Sequence, residues 1–98
     1  MPDGGGFSES VVLSRPQSVL FRATSGEAVL LDLATERYFA LEAVGASFWS
    51  FVERGVTLGE AIDGVLDEYD VTRDVLVRDL DALVSSLVEA GLLEVTDG

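Results

Sequence analysis

The side chains able to do chemistry in this 98-residue chain are 18 carboxylates, the hydroxyls and six Arg; Cys, His and Lys are absent. Without Cys there are no disulfides, thiolate nucleophiles or thiolate-held metals. Without His the commonest general base and metal ligand is missing. Without Lys there is no Schiff base and no P-loop cation, so Gly4–Gly6, with no strand before it, is not a phosphate loop. Asp67, Glu68, Asp70 and Asp74 lie close together, but they lack the alternating acids, central Gly and terminal Glu of a calcium loop. They read as a solvated helix junction. No Asp-Ser-Leu stands at a helix start, so there is no attachment serine of an acyl carrier. Catalysis would have to rest on carboxylates facing one another in a pocket. The inventory therefore predicts a binding protein, not an enzyme, with no metal and no cofactor.

The net charge of −12 narrows the partners. Such a field repels nucleic acid and anionic membrane and attracts a basic partner. The same acids would also serve solubility alone. No apolar run approaches the roughly 20 residues of a membrane span, and no cation precedes a hydrophobic stretch at the N-terminus, so a cytoplasmic protein is expected.

The elements that position these side chains centre on Gly26–Leu41, G-E-A-V-L-L-D-L-A-T-E-R-Y-F-A-L. It reads as two strands, Glu27–Leu33 and Arg37–Leu41, joined by Ala34-Thr35-Glu36. The first is apolar on one face and nearly so on the other, which predicts a strand covered on both sides. The second sets Phe39 and Leu41 on one face against Tyr38 and Ala40 on the other. No further long strand follows, so Arg37–Leu41 is expected at a sheet edge with free N–H and C=O groups, where an extended peptide can add a strand. Upstream, Ser18–Thr24 alternates and Ser25-Gly26 fits a two-residue hairpin turn. Ser10–Ser14 is a candidate further edge strand ended by Arg15-Pro16. Residues 1–10, with Gly4–Gly6, read as a disordered tail before a single domain over 11–96.

Three helices follow. Ala43–Arg54 carries Val44, Phe48, Phe51 and Val52 at helical spacing, with Trp49 as a core aromatic and Gly55 as a stop. Thr57-Leu58-Gly59-Glu60 fits a capping box, and Leu58, Ala61, Ile62, Val65, Leu66 and Tyr69 form one buried face, opposite Asp63 and Asp67. The third helix starts at N-cap Thr72, carries Asp74 in its first turn and runs to about Ala90 before Gly91. Leu76, Leu80, Leu83 and Leu87 make its stripe, widened by Val77, Val84 and Val88. On its flank, Val75, Asp79, Ala82 and Ser86 form a column of short side chains. That column would floor a shallow groove or receive a closely packed element. Leu92–Val95 is a candidate last strand.

The predicted fold is α+β: a winged helix-turn-helix with a three-stranded, or at most four-stranded, antiparallel sheet followed by three helices. Winged helices often bind DNA, but the third helix carries Arg73 and Arg78 against Asp74, Asp79, Asp81 and Glu89. Reading a major groove needs phosphate-neutralising cations around the base contacts.

From Glu27 to Val95 the chain resembles the PqqD-like family, the RiPP recognition elements. The resemblance is carried by V-L-L-D at 29–32, R-Y-F-A-L at 37–41, V-G-A-S-F-W at 44–49 and G-V-T-L-G-E-A-I at 55–62. D-E-Y-D-V at 67–71, D-L-D-A-L-V at 79–84 and L-V-E-A-G-L-L at 87–93 complete the series. Glu42 departs from the pattern, which usually has Asn after the Leu; this bears on the cap of the first helix. The resemblance implies a non-catalytic domain that binds the leader segment of a ribosomally made precursor peptide and presents its core to modifying enzymes. The leader adds as a strand on the third strand of the sheet, in the cleft with the third helix. Carried onto this sequence, Arg37, Tyr38, Phe39, Ala40 and Leu41 supply the ladder, and Val75, Leu76, Asp79, Leu80, Ala82, Leu83 and Ser86 the groove wall. Asp79 is the implied partner of a leader Arg or Lys, unless a cap or an ion pair to Arg37 or Arg78 already holds it. Leu80 and Leu83 are alternatively core. The chain looks most like the stand-alone recognition protein of lasso-peptide clusters, which works with a leader protease and a cyclase. The alternatives are a chaperone for a radical-SAM enzyme, as in quinone-cofactor biosynthesis, and a DNA-binding regulator.

Overall fold

The first helix packs against the sheet and the second helix, and the sheet keeps one face open. The structure, a computed structural model, describes residues 7–97. Its order is β1 (Val12–Ser14), β2 (Val19–Thr24), β3 (Glu27–Asp32), β4 (Arg37–Glu42), α1 (Val44–Val52), α2 (Leu58–Glu68), α3 (Arg73–Glu89) and β5 (Glu94–Thr96). The predicted α+β architecture is present, with an antiparallel sheet in the order β2-β3-β4 and three helices. The candidate fourth strand does not join this sheet. It pairs instead with the C-terminal strand, Leu13 opposite Val95. Leu13 N–H also donates to the Val56 carbonyl (3.3 Å), which fixes the small ribbon to the α1–α2 turn.

Local chemistry explains the element ends. The β2–β3 turn is Ser25-Gly26, flanked by the pair Thr24–Glu27, and Gly26 takes φ 78°, a left-handed conformation that glycine adopts without strain. Thr57 caps α2: its hydroxyl accepts from Glu60 N–H (3.2 Å), and Glu60 Oε1 accepts from Thr57 N–H (2.9 Å). α3 ends in a Schellman arrangement, Gly91 N–H to Val88 O (3.0 Å) and Leu92 N–H to Leu87 O (2.9 Å). α1 begins one residue later than the sequence predicts. Its N-cap, Ala43, has φ 48° and no side-chain cap.

The core is continuous from Leu13 and Leu30 through Phe48, Trp49, Ile62 and Leu80 to Leu93. Trp49 is fully buried, and its Nε1 donates to Glu53 Oε2 (2.9 Å), which also takes Arg15 Nε (2.7 Å). β3 is not covered on both sides. Ala28, Leu30 and Asp32 face the helices, while Val29 and Leu33 are exposed and Leu31 is half-buried. All three helices follow the sheet in sequence and the main layer lies on one side of it, so the more apolar face of β3 is left outward. Phe7–Ser10 also depart from the expected tail. Phe7 packs on the core, Glu9 O accepts from Gly59 N–H (2.9 Å), and Glu9 Oε1 takes Arg73 Nη2 (2.6 Å). Residues 1–6 of that expected tail lie outside the described residues. Among the described residues no helix is long and apolar enough to cross a membrane.

Candidate functional site

β4 is an edge strand, as the sequence implies, and the ladder shows which of its backbone groups are free. Two bonds fix the phase: Leu33 N–H to Ser18 O (2.8 Å) and Ala43 N–H to Gly26 O (3.1 Å). In antiparallel sheets directly opposed pairs alternate between bonded and non-bonded. Given the register Ala28–Leu41, Leu30–Phe39 and Asp32–Arg37, the bonded residues of β4 are Arg37, Phe39 and Leu41. Tyr38, Ala40 and Glu42 therefore turn their N–H and C=O groups away from β3. Among the described residues that is a strand-length row of unpaired donors and acceptors.

β2 is the opposite edge, which the sequence reading did not weigh. By the same phase its outward groups belong to Val19, Phe21 and Ala23. Those of Val19 are already used: its N–H donates to Pro16 O (3.1 Å) and its carbonyl takes Arg15 Nη1. Among the described residues Phe21 and Ala23 remain, so β4 is the longer open edge.

α3 lies beside β4, and two observations locate the cleft between them. At one end a cavity of about 170 Å³ is lined by Arg37, Tyr38, Phe39, Ala90 and Leu92. Further along, Gly45 sits between Leu41 and Leu83; a Cβ there would meet Leu41 at 3.4 Å and Leu83 at 3.7 Å. β4 and α3 thus run in opposite directions along the groove. Helical spacing sets Asp79 one turn beyond Leu83, in the column that also carries Ser86 and Ala90.

The structure separates the sequence-derived wall into two groups. Leu76 and Leu80 are core, 2% and 1% exposed, and offer nothing to the groove. Val75, Asp79, Ala82 and Ser86 are exposed and Leu83 is half-buried. Val84 is buried in the core where the stripe had placed Leu83. The difference is a small rotation of α3, about one residue wide. Arg37, Tyr38 and Ala40 are exposed, Phe39 is half-buried and Leu41 is buried.

The electrostatics leave the groove's charges unspent. Among the described residues the ion pairs are Arg15–Glu53, Arg73–Glu9 and Arg73–Asp63. Asp79 is in none of them, so neither Arg37 nor Arg78 holds it. Away from the groove, burial pushes the Asp81 carboxyl above the usual carboxylate range, partly countered by the Phe7 backbone N–H. Arg73 is raised, chiefly by its bond to Asp63. The outward face of the sheet carries Leu20, Val29, Leu31, Tyr38 and Ala40 in adjoining register.

Comparisons with known proteins bear on the same region. The family model described as coenzyme PQQ synthesis protein D (PqqD) matches residues 27–93. Among solved structures, TbiB1 in complex with the TbiA(beta) leader peptide is 37% identical with a TM-score of 0.78, over 83% of this chain and 94% of that one. A lasso peptide synthetase B1 complexed with the leader peptide is 27% identical with a TM-score of 0.73, over 84% and 96%. No curated protein matches the chain.

Proposed function

This chain belongs to the PqqD family, as a PqqD-like RiPP recognition element, and on that premise we propose that it binds the leader segment of a ribosomally synthesised precursor peptide. The observation that carries the reading is the edge of β4, where Tyr38, Ala40 and Glu42 present unpaired backbone groups beside a groove floored by α3. The leader adds there as a fourth strand, its backbone on β4 and alternate side chains in the groove. Phe39, Leu83, Ala82 and Ser86 give the groove its apolar and small-residue lining, Val75 its far rim, and Asp79 a carboxylate. The leader-binding unit is the domain over residues 11–96, with Phe7–Ser10 anchored to it.

The role is an adaptor's: it holds the leader while separate enzymes act on the precursor. The likeness to two solved proteins held in complex with leader peptides, one of them a lasso peptide synthetase B1, favours lasso-peptide assembly over a chaperone for a radical-SAM enzyme. In that setting the partners are a leader protease and a cyclase, in the cytoplasm. DNA binding is disfavoured by the net charge of −12. The test is fluorescence anisotropy of a labelled leader, taken from the precursor encoded beside this chain, at low and physiological salt. Saturable binding is expected; its absence at protein concentrations up to the millimolar range rejects the reading.

A further inference from the structure

The two ends of the groove carry opposite, unpaired charges. Arg37 opens β4, is exposed, and lines the cavity against Ala90 and Leu92. Among the described residues it makes no ion pair and no side-chain hydrogen bond, not even to the carbonyls at the end of α3. Arg15 and Arg73 are held by carboxylates and Arg54 lies over the Phe51 ring, whereas Arg37 is left available to a ligand at the groove. At the other end stands Asp79, exposed and outside those pairs; Glu42, the last residue of β4, shares the outward face of the sheet with Tyr38 and Ala40 and does not enter the groove. Arg78 does not neutralise Asp79, because adjacent residues on a helix point about 100° apart. Between the ends the lining is Phe39, Leu41, Ala82, Leu83 and Ser86, with no charge.

We infer that the groove selects a leader whose charges are ordered: a carboxylate at the Arg37 end and a cation at the Asp79 end. This rests on the leader-binding reading and sharpens it, since net charge alone asks only for a basic peptide. The spacing follows from the helix. Ala90, beside Arg37, is eleven residues from Asp79, or about 17 Å at ~1.5 Å per residue, which an extended leader covers in about four to six residues at ~3.4 Å each. In an uncharged, partly shielded trough each end pair acts separately. Its main effect is on register and direction, because a leader added the wrong way round sets like charges against each other at both ends.

The experiment is a charge-exchange matrix read by anisotropy at low ionic strength. The proteins are wild type, Arg37→Glu and Asp79→Lys, with Arg37→Gln and Asp79→Asn as milder versions. The peptides are the labelled leader and two variants, one with its acidic position and one with its basic position reversed in sign. Arg37→Glu is expected to weaken the native leader about fivefold, the Gln version about twofold. Reversing the leader's acid restores binding to Arg37→Glu and not to Asp79→Lys; reversing its cation does the opposite. All of these differences shrink at physiological salt. Dissociation constants of Arg37→Glu and Asp79→Lys that stay within about twofold of wild type overturn the inference, as does restoration by either peptide alike, which means that only net charge counts. Ala40→Pro separates the two failures. If it abolishes binding while the charge variants do nothing, the charge order is wrong and the strand site stands. If the native leader does not bind wild type at all, both fall.

Discussion

Moving a proline by one residue along β4 should change which property is lost. Ala40 points its N–H to solvent and Phe39 points its own to Leu30, as the phase of the ladder requires. Ala40→Pro removes no internal bond, and an edge strand tolerates proline where its N–H faces outward. Phe39 is already extended, as a residue before proline must be. Stability should therefore fall by less than about 1 kcal/mol. Leader binding loses one backbone hydrogen bond, about 0.5–1.5 kcal/mol, a factor of about 2 to 12 in Kd. The ring also occupies the space of the approaching carbonyl, so the effect should lie at or beyond the upper end. Phe39→Pro does the reverse. It breaks a ladder bond, leaves the Leu30 carbonyl unpaired at about 1–3 kcal/mol, and removes an aromatic ring packed on the core. The assays are urea unfolding for stability and anisotropy for the leader, on both variants. Equal loss of stability in the two variants, or normal leader binding by a folded Ala40→Pro, would refute the assignment of free and bonded groups.

Three further outcomes follow from the packing. A Cβ on Gly64 would stand 2.2 Å from Phe51 Cζ, so Gly64→Ala should cost about 1–3 kcal/mol in urea unfolding, and less in a Phe51→Leu background where the ring is gone. Glu53→Ala strands the buried Trp49 N–H and frees Arg15; it should cost about 1–3 kcal/mol, whereas Glu53→Gln, which keeps an acceptor, should cost clearly less. Burial raises the folded-state pKa of Asp81 above its unfolded value, so the folded protein holds that proton more tightly and stability falls as pH rises through that interval. Asp81→Asn should therefore stabilise the protein at neutral pH and flatten this part of the urea-midpoint profile against pH, with no gain below pH 3.

Sequence reading reached what is local. The capping box of Thr57 and Glu60, the Ser25-Gly26 turn and the stop at Gly91 are each decided by residues within one turn of one another. The edge position of Arg37–Leu41 was legible because no strand follows it before the helices begin. The failures share a non-local cause. Val29, Leu31 and Leu33 are more apolar than Ala28, Leu30 and Asp32, yet the latter face inward. The buried Asp32 is accommodated by accepting the Ala34 N–H (2.9 Å) inside its own turn. The partner of Val12–Ser14 lies some eighty residues away at Glu94–Thr96, beyond any periodicity. The hold of Arg73 on Glu9 ties down residues that composition assigns to a tail. On α3 the hydrophobic arc spans Leu83 and Val84 alike, and only tertiary packing decides that Val84 goes in and Leu83 is left half-buried.

The central claim is that the leader adds as a strand on β4, and residue-resolved amide hydrogen exchange with and without leader tests it directly. In the free protein the amides of Phe39 and Leu41 should be protected and those of Tyr38, Ala40 and Glu42 should exchange fast. Saturating leader should slow Tyr38, Ala40 and Glu42 and leave Phe21 and Ala23 on the other edge unchanged. No change at those three amides while the leader is bound, or protection appearing at Phe21 and Ala23 instead, would contradict the account.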